Sequence, residues 1–326
     1  MIRLLGVELT RLRWRRAVLV LLTACFVVPA VIFATAAWHT RPVSAAELQH
    51  AQQQVDQMAQ QQRGVQREIR SCQQHPERFG ASSADDCAAS VGPQVSWFIS
   101  RSPLDVADVS RGLGPTVIVL LCGLLMLMGT TFAGADWSSG SMSNQLLFEP
   151  RRLRVWAAKA GAVFVVAGAT CAVVLAAFWT AILLLASARG IDVAPHVTSY
   201  IRGESLRGVA LAAVGALGAF ALTMLFRSTV ATLGILFGLA LVGSLVLAAL
   251  GFSDRWFPHV NVGAWILDGV HYYVQPPASC RTQQGFSAVC RGERTVTQGD
   301  AAAYLGAFLV LAVAMSAASF RRRDVP

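Results

Sequence analysis

The stretch LGPTVIVLLCGLLMLMGTTFA, residues 113–133, decides the fold class, because it contains no Asp, Glu, Lys or Arg. A helix of roughly 17–25 apolar residues is long enough to cross the hydrocarbon core of a bilayer. Five further charge-free blocks occur along the chain, at residues 17–37, 160–186, 208–226, 229–251 and 301–320. We therefore predict an all-α polytopic membrane protein with six transmembrane helices, TM1 to TM6.

The overall composition excludes the alternative of two soluble domains. Of the 326 residues, 55% are hydrophobic and 14% are charged, whereas roughly 25% are charged in ordinary soluble proteins. The mean hydropathy is +0.52. The apolar residues are also concentrated in the long blocks, as a membrane protein requires.

The distribution of charge predicts the orientation in the membrane. With the N-terminus placed in the cytoplasm, the inner segments carry 13 of the 27 cations and 4 of the 18 anions, so the whole net charge of +9 lies inside. This is the pattern of the positive-inside rule. We expect both termini to be cytoplasmic and residues 38–112, 188–207 and 252–300 to be outside, and we expect no nucleic-acid partner. Arginine supplies 26 of the 27 cations, which is compatible with a GC-rich bacterial genome and so with a bacterial cytoplasmic membrane.

Residues 1–16, MIRLLGVELTRLRWRR, have the pattern of a short interfacial helix on the inner leaflet. Ile2, Leu5, Leu9 and Leu12 lie near one helical face, and arginines crowd the end of the segment. A signal peptide is the alternative. The apolar block at 17–37 is longer than the usual 7–15-residue core of a signal peptide, so we favour an uncleaved anchor.

Four cysteines lie in the predicted outside segments, and the predicted cytoplasmic segments contain none. An even number of cysteines on the oxidising side of a membrane is typical of disulfides. Four cysteines allow three pairings, of which Cys72–Cys87 with Cys280–Cys290 closes the shortest loops. Zinc binding is less favoured because neither pair has a C-x-x-C spacing.

The outside segment 38–112 contains a heptad pattern that predicts one helix of about 25 residues. Its seam positions, all apolar except Gln62, recur in alternating steps of three and four, at Leu48, Ala51, Val55, Met58, Gln62, Val65, Ile69 and Cys72. This seam either packs against the following segment of the same chain or contacts a second subunit.

The second long outside segment, 252–300, begins with an aromatic and apolar stretch that Pro258, Asp254 and Asp268 interrupt. It is too interrupted to span the bilayer, so we predict re-entrant or interfacial helices. In the preceding TM5, Gly234 and Gly238 form a GxxxG pattern, which serves either internal helix packing or a subunit interface.

No catalytic motif is present in the sequence. The single lysine, Lys159, is not preceded by glycine, whereas the phosphate-binding loop of an ATPase requires G-x-x-x-x-G-K-[ST]. The six histidines have no H-x-x-x-H spacing and the chain has no G-x-S-x-G motif. We expect a protein without catalytic residues, metal site or cofactor of its own.

The most informative cytoplasmic segment is GADWSSGSMSNQLLFEPRRLRVWAAK, residues 134–159. Ser138 or Ser139 can cap a short helix that carries Met142 and the following leucines. The segment resembles the type-2 ABC exporter permeases, whose pattern is an acidic residue, Gly-Thr before a short Leu-rich helix, Pro-x-Arg or Pro-Arg-Arg, and a lysine at the next span. The matching residues are Asp136, Gly140, Ser141, Leu146, Leu147, Pro150, Arg151, Arg152 and Lys159.

The resemblance extends to the layout of the whole chain, and the terminal FRRRDV at 320–325 is similar to the usual ending of the family. Asp in place of Glu, Ser in place of Thr, and the long outside insert are departures. The resemblance implies a permease dimer, formed by two identical or two different subunits, over separate ABC ATPase subunits that bind ATP and Mg. The matching residues would then couple this chain to the ATPase.

The charge-free spans also indicate the class of substrate. The uncharged spans favour a hydrophobic or amphipathic substrate and contact with membrane lipid. A non-transporting sensor, immunity protein or scaffold with an outside ligand-binding domain is the alternative.

The predicted domains are 1–16 interfacial helix, 17–37 TM1, 38–112 insert, 113–133 TM2, 134–159 coupling segment, 160–186 TM3, 208–226 TM4, 229–251 TM5, 252–300 outside loop and 301–320 TM6.

Overall fold

The computed structural model describes residues 2–61, 63–80, 83–84, 86–87, 91–99, 101, 103–274 and 292–322, and these are mostly helical. Its elements, numbered here in chain order, are α1 Ile2–Trp14, α2 Arg16–His39, α3 Ala45–Gln61, α4 Arg63–Gln74, α5 Val106–Ser138, α6 Ser141–Phe148, α7 Arg152–Ala188, α8 Pro195–Phe226, α9 Thr229–Leu241, α10 Gly243–Ala249, α11 Pro258–Leu267, β1 Val270–Tyr273, β2 Glu293–Val296 and α12 Gln298–Arg322.

Among the described residues, five helices are long and apolar enough to cross a membrane: α2, α5, α7, α8 and α12. The pair α9 and α10 adds a sixth candidate if its two halves form one broken span. The prediction of a helical, polytopic membrane protein is therefore confirmed at this level.

Most of these helices extend beyond the charge-free blocks. The sequence predicts a connection at 188–207, but α8 already begins at Pro195. Proline is favoured in the first turn of a helix because backbone N–H groups there have no intrahelical partner, so that proline removes no hydrogen bond. Polar residues then continue the helix, so hydropathy alone does not locate its start.

The predicted TM5 is not one straight helix. It consists of α9 and α10, which are bent by 52° relative to each other. The break lies next to the Gly243–Ser244 pair, and such Gly/Ser pairs are common at sharp kinks. Neither Gly234 nor Gly238 packs closely, because a Cβ added at either one would meet no atom of the described residues within 4 Å.

Helices α5, α7 and α8 form the centre of the larger compact unit, which comprises Met1–Phe33 and Val106–Pro326. Their facing sides bury large apolar residues such as Phe132, Leu121 and Phe220. At Gly129 an added Cβ would lie 2.5 Å from the backbone oxygen of Ala216. Only glycine permits that approach of α5 to α8.

The described part of the outside segment 252–300 departs from the predicted all-α fold. It contains the helix α11 and then an antiparallel pair of strands, in which Val270 of β1 faces Val296 of β2. Pro258 begins α11 instead of interrupting a helix, since it occupies the first turn. β-Branched and aromatic residues favour the two strands. Cys280 and Cys290 lie outside the described residues.

The second compact unit comprises Ala34–Asp105. Its helical region comprises α3 and α4, which lie on either side of Gln62, a residue outside the described part of the chain. The seam positions Ala51 and Cys72 are buried, whereas Leu48 is exposed. Cys72 forms a disulfide with Cys87, which confirms the local pairing for these two residues. Cys25, Cys122 and Cys171, in the apolar blocks, are free thiols.

Helix α3 begins with a reciprocal cap. Ser44 donates its backbone N–H to Glu47, and the Ser44 hydroxyl bonds the same carboxylate. The backbone hydrogen bond from Ser44 is the main reason why the pKa of Glu47 lies below its usual value, and the Ser44 hydroxyl and Arg101 add to this effect. The arrangement is a capping box, which fixes the start of α3.

Candidate functional site

Three ionisable side chains from three helices meet inside the larger unit. The Lys159 Nζ atom, on α7, lies 2.5 Å from Asp136 Oδ2 on α5 and 2.9 Å from Glu8 Oε2 on α1. Lys159 and Asp136 are completely buried, and Glu8 is 1% exposed. The only lysine of the chain is therefore held between two buried carboxylates.

An arginine that follows α1 reinforces this cluster. Arg15 donates from one guanidinium nitrogen to Asp136 Oδ1 and from the other to the backbone oxygen of Phe132, at 2.7 Å. Its guanidinium also lies over the Phe132 ring, 5.0 Å from the centroid. The aromatic ring and the fork of donors fix the orientation of the arginine.

Polar residues of α6 join the same network. Ser141 donates to Asp136 Oδ1 at 2.7 Å, and the Gln145 amide donates to Glu8. Arg11 in turn donates to Gln145 Oε1 at 3.1 Å and to Ser141 Oγ at 3.3 Å. Helix α6 is thus fastened to α1 and α5 by side-chain hydrogen bonds.

We call this network the charged clamp. Its members are Glu8, Arg11, Arg15, Asp136, Ser141, Gln145 and Lys159. It contains three cations and two carboxylates. Lys159 and both carboxylates are buried, whereas the side chains of Arg11 and Arg15 are partly exposed. Burying an ion is tolerated only when it is paired and its remaining lone pairs and protons are bonded. The clamp meets this condition and joins α1, α5, α6 and α7.

The last residues of α6 are exposed, although its first part is bonded to the clamp. Gly140 precedes it with φ = 67°, in the left-handed region that favours glycine. Met142 is buried and Leu146 is partly buried, but Leu147 is 81% exposed and Phe148 is 92% exposed. The two apolar side chains at the end of α6 therefore project from the surface.

Besides Gly140, Leu146 and Leu147, the predicted coupling residues form two groups. Asp136, Ser141 and Lys159 come together in the clamp. Pro150 and Arg151 are exposed between α6 and α7, and Arg152 begins α7 and is partly buried. This second group forms, with Arg154, a basic edge beside the projecting end of α6.

Four members of the clamp were not predicted from the sequence: Glu8, Arg11, Arg15 and Gln145. The available signal is the spacing of Glu8, Arg11 and Arg15, which puts them near one face of a helix. The apolar stripe of the same segment and the positive-inside rule already explain its leucines and arginines, so no further pattern indicates a buried network there. Helix α1 packs on α7 through its buried face, where Leu12 and Glu8 lie.

The class of protein that the fold and this site define is a helical membrane protein with several spans and a charge-clamped segment between two of them. No family model, no curated protein and no solved structure matches the chain. The functional argument therefore starts from the geometry of the chain itself.

Proposed function

We propose that this chain is the membrane-spanning permease subunit of an ATP-driven ABC exporter. The observation that carries the proposal is the exposed pair Leu147–Phe148 at the end of a helix that the charged clamp fastens to the spans. An exposed apolar patch that polar residues surround commonly marks a contact with a partner. The resemblance of the 134–159 segment to type-2 exporter permeases supplies the partner, an ABC ATPase that binds ATP and Mg.

The clamp gives this contact a mechanical consequence. A force on Leu147 and Phe148 acts on α6, whose Ser141 and Gln145 are bonded to Asp136 and Glu8. Asp136 lies on α5, and Lys159 connects it to α7. Movement of the ATPase during ATP hydrolysis would therefore pass to α1, α5 and α7 together, because their ends are held by the same ions.

The proposal includes a topology and a substrate class. Both termini and α6 lie on the cytoplasmic side, α9 and α10 together form the fifth of six spans, and Ala34–Asp105 lies outside. The positive-inside count and the Cys72–Cys87 disulfide support this orientation. A hydrophobic or amphipathic substrate suits spans whose centres carry no charge.

The topology is tested by labelling single cysteines in whole cells with an impermeant reagent. Asn144 of α6 and Ser96 of the Ala34–Asp105 unit are both exposed. In a variant that lacks the native cysteines, Ser96→Cys should react and Asn144→Cys should be protected. The reverse pattern would overturn the orientation.

The coupling role is tested by the double variant Leu147→Asp/Phe148→Asp. We expect it to insert into the membrane normally, to lose co-purification with the partner ABC ATPase, and to lose export. The matched control is Asn144→Asp, which adds a carboxylate to the same helix at an exposed position without removing an apolar side chain. Normal complex formation and export by the double variant would refute the coupling role.

The compact, disulfide-linked unit Ala34–Asp105 favours a second candidate function, a membrane sensor or scaffold that acts through this unit. That function does not require the projecting end of α6. The same double variant therefore separates the two candidates, since a sensor would keep its response when Leu147 and Phe148 are changed.

A further inference from the structure

A large apolar groove lies on the larger unit, between the bent pair α9–α10, the short helix α11 and the last helix α12. Its volume is about 850 Å³, within the range of small-molecule sites, roughly 300–1,000 Å³. Leu239 and Val246 form one wall, and Ala307 and Phe308 form the other. The proposed coupling site does not use this groove.

Both halves of the bent pair line the groove. Helices α9 and α10 are bent by 52° relative to each other, and Leu239 of α9 and Val246 of α10 both face the space. Ser244 on α10 is hydrogen-bonded to His259 on α11 at 3.0 Å, which connects these two helices. Gly238 adds no side chain to the space, and a Cβ placed there would meet no described atom within 4 Å.

One end of the groove is polar. The Arg255 side chain is 51% exposed, and one guanidinium nitrogen lies 3.0 Å from Asp300 Oδ1. The other oxygen of Asp300 accepts hydrogen bonds from the backbone and hydroxyl of Thr297. Asp300 is thus engaged in capping α12 and in an ion pair with Arg255, whose half-exposed guanidinium has further donors that suit the geometry of a phosphate.

Aromatic residues accompany this polar end. Tyr304 donates its hydroxyl to the backbone oxygen of Trp256, and the two rings contact each other. Tryptophan and tyrosine are enriched where the hydrocarbon of a membrane meets its headgroups. The arginine, the tryptophan and the tyrosine therefore mark the level of the headgroups.

The length of the groove matches one leaflet. From Asp300 to Phe308, α12 rises about 12 Å at 1.5 Å per residue. Half of a hydrocarbon core of about 30 Å is about 15 Å. An acyl chain whose headgroup lies at Arg255 would extend along the groove as far as Phe308.

We propose that this groove binds a membrane phospholipid, with one acyl chain along α9, α10 and α12 and the phosphate at Arg255. A helix from a second copy would also cover apolar surface, but it would place hydrocarbon against the half-exposed guanidinium. The phospholipid satisfies both ends of the groove. The inference is independent of the exporter proposal, because binding requires neither an ATPase nor transport.

The test uses the full chain in micelles of dodecyl maltoside, a detergent without phosphate, that contain a small fraction of phosphatidylglycerol with a diazirine in one acyl chain. After illumination, the labelled residues are mapped by mass spectrometry. Gly238→Leu fills the groove, and Gly234→Leu is its matched control, because Gly234 has the same open surroundings but does not line the groove. Arg255→Gln removes the proposed phosphate ligand, and Arg294→Gln removes an exposed arginine of β2 as its control.

We expect labels on α10 and α12 in the wild type, at least a tenfold loss of these labels in Gly238→Leu, and no loss in Gly234→Leu. Arg255→Gln should lower the labelling about tenfold, while Arg294→Gln leaves it unchanged. A diazirine diacylglycerol, which lacks the phosphate, should label the groove about as weakly in the wild type as phosphatidylglycerol labels it in Arg255→Gln. Equal labelling by both lipids, or equal effects of the two glycine variants, would overturn the proposal. A disulfide between two copies through Leu239→Cys would assign the groove to a subunit contact and would overturn it as well.

Discussion

Removing the central cation of the charged clamp should destabilise the protein strongly. The change is Lys159→Met, which keeps most of the length of the side chain and removes its charge. In the wild type, Nζ contacts both Glu8 and Asp136, and all three residues are buried. Breaking a buried ion pair by removing one partner costs about 3–5 kcal/mol, because the remaining charge stays buried.

Changing Asp136 together with Lys159 should lower the free energy of unfolding by less than the two single changes added together. In Asp136→Asn/Lys159→Met, the asparagine can still bond Ser141 and Arg15, and Glu8 keeps Arg11 and Gln145. We expect the double variant to lose less stability than the sum of the two single variants, by at least about 1 kcal/mol, as for residues in one ionic network.

The assay is thermal unfolding of the purified protein, followed with a thiol-reactive dye that reports exposure of the buried cysteines Cys25 and Cys171. A loss of about 3–5 kcal/mol corresponds to a midpoint lower by roughly 10 °C. Arg154→Met is the control, because Arg154 is an exposed cation in the first turn of the same helix. A midpoint for Lys159→Met within about 2 °C of that control, or strict additivity in the double variant, would refute the reasoning.

Three further predictions concern other parts of the chain. Non-reducing peptide mapping should recover Cys72 joined to Cys87, and recovery of either as a free thiol from the native membrane would contradict the pairing. Glu204 on α8 is fully buried, and neither of its carboxylate oxygens has a hydrogen-bond partner among the described residues. Glu204→Met should therefore raise the thermal midpoint, by an amount equivalent to about 1–3 kcal/mol. A lower midpoint would show that the carboxyl group is needed. The lowered pKa of Glu47 means that its cap on α3 is present above the unfolded value near 4.3 and is lost as the pH falls through the lower folded value. Amide exchange in the first turn of α3, corrected for the intrinsic rate, should increase at acid pH in the wild type and less in Glu47→Gln, and equal increases would contradict the role of this carboxylate.

The membrane helices show which features of the fold local sequence predicts and which it does not. A run of apolar residues such as 113–133 must bury its backbone polar groups in a helix if it enters a bilayer, so the pattern predicts the element without reference to the rest of the chain. The helix ends were less predictable. Helix α8 begins at Pro195, well before its charge-free block, because a polar helix continues wherever neighbouring elements pack against it.

The bend between α9 and α10 and the strands β1 and β2 required information that hydropathy does not contain. Glycine and serine occur at 243 and 244, but the same residues are tolerated in straight membrane helices when neighbours support them. The strands are short, and the register that pairs Val270 with Val296 depends on two segments that are far apart along the chain. Pairing of this kind is a tertiary property, since each strand alone has no partner for its backbone.

The sequence by itself determined the class of protein, because hydrocarbon length and charge exclusion act on each segment separately. It also favoured the pairing of Cys72 with Cys87, because the loop between them is short, and the structure shows that disulfide. Only the tertiary structure decided what the conspicuous charged residues do. Lys159, Asp136 and Glu8 lie far apart along the chain, and nothing in their local patterns specifies a common site. They meet because packing of α1, α5 and α7 buries all three, and a buried ion is stable only where the fold brings its counter-ions within reach.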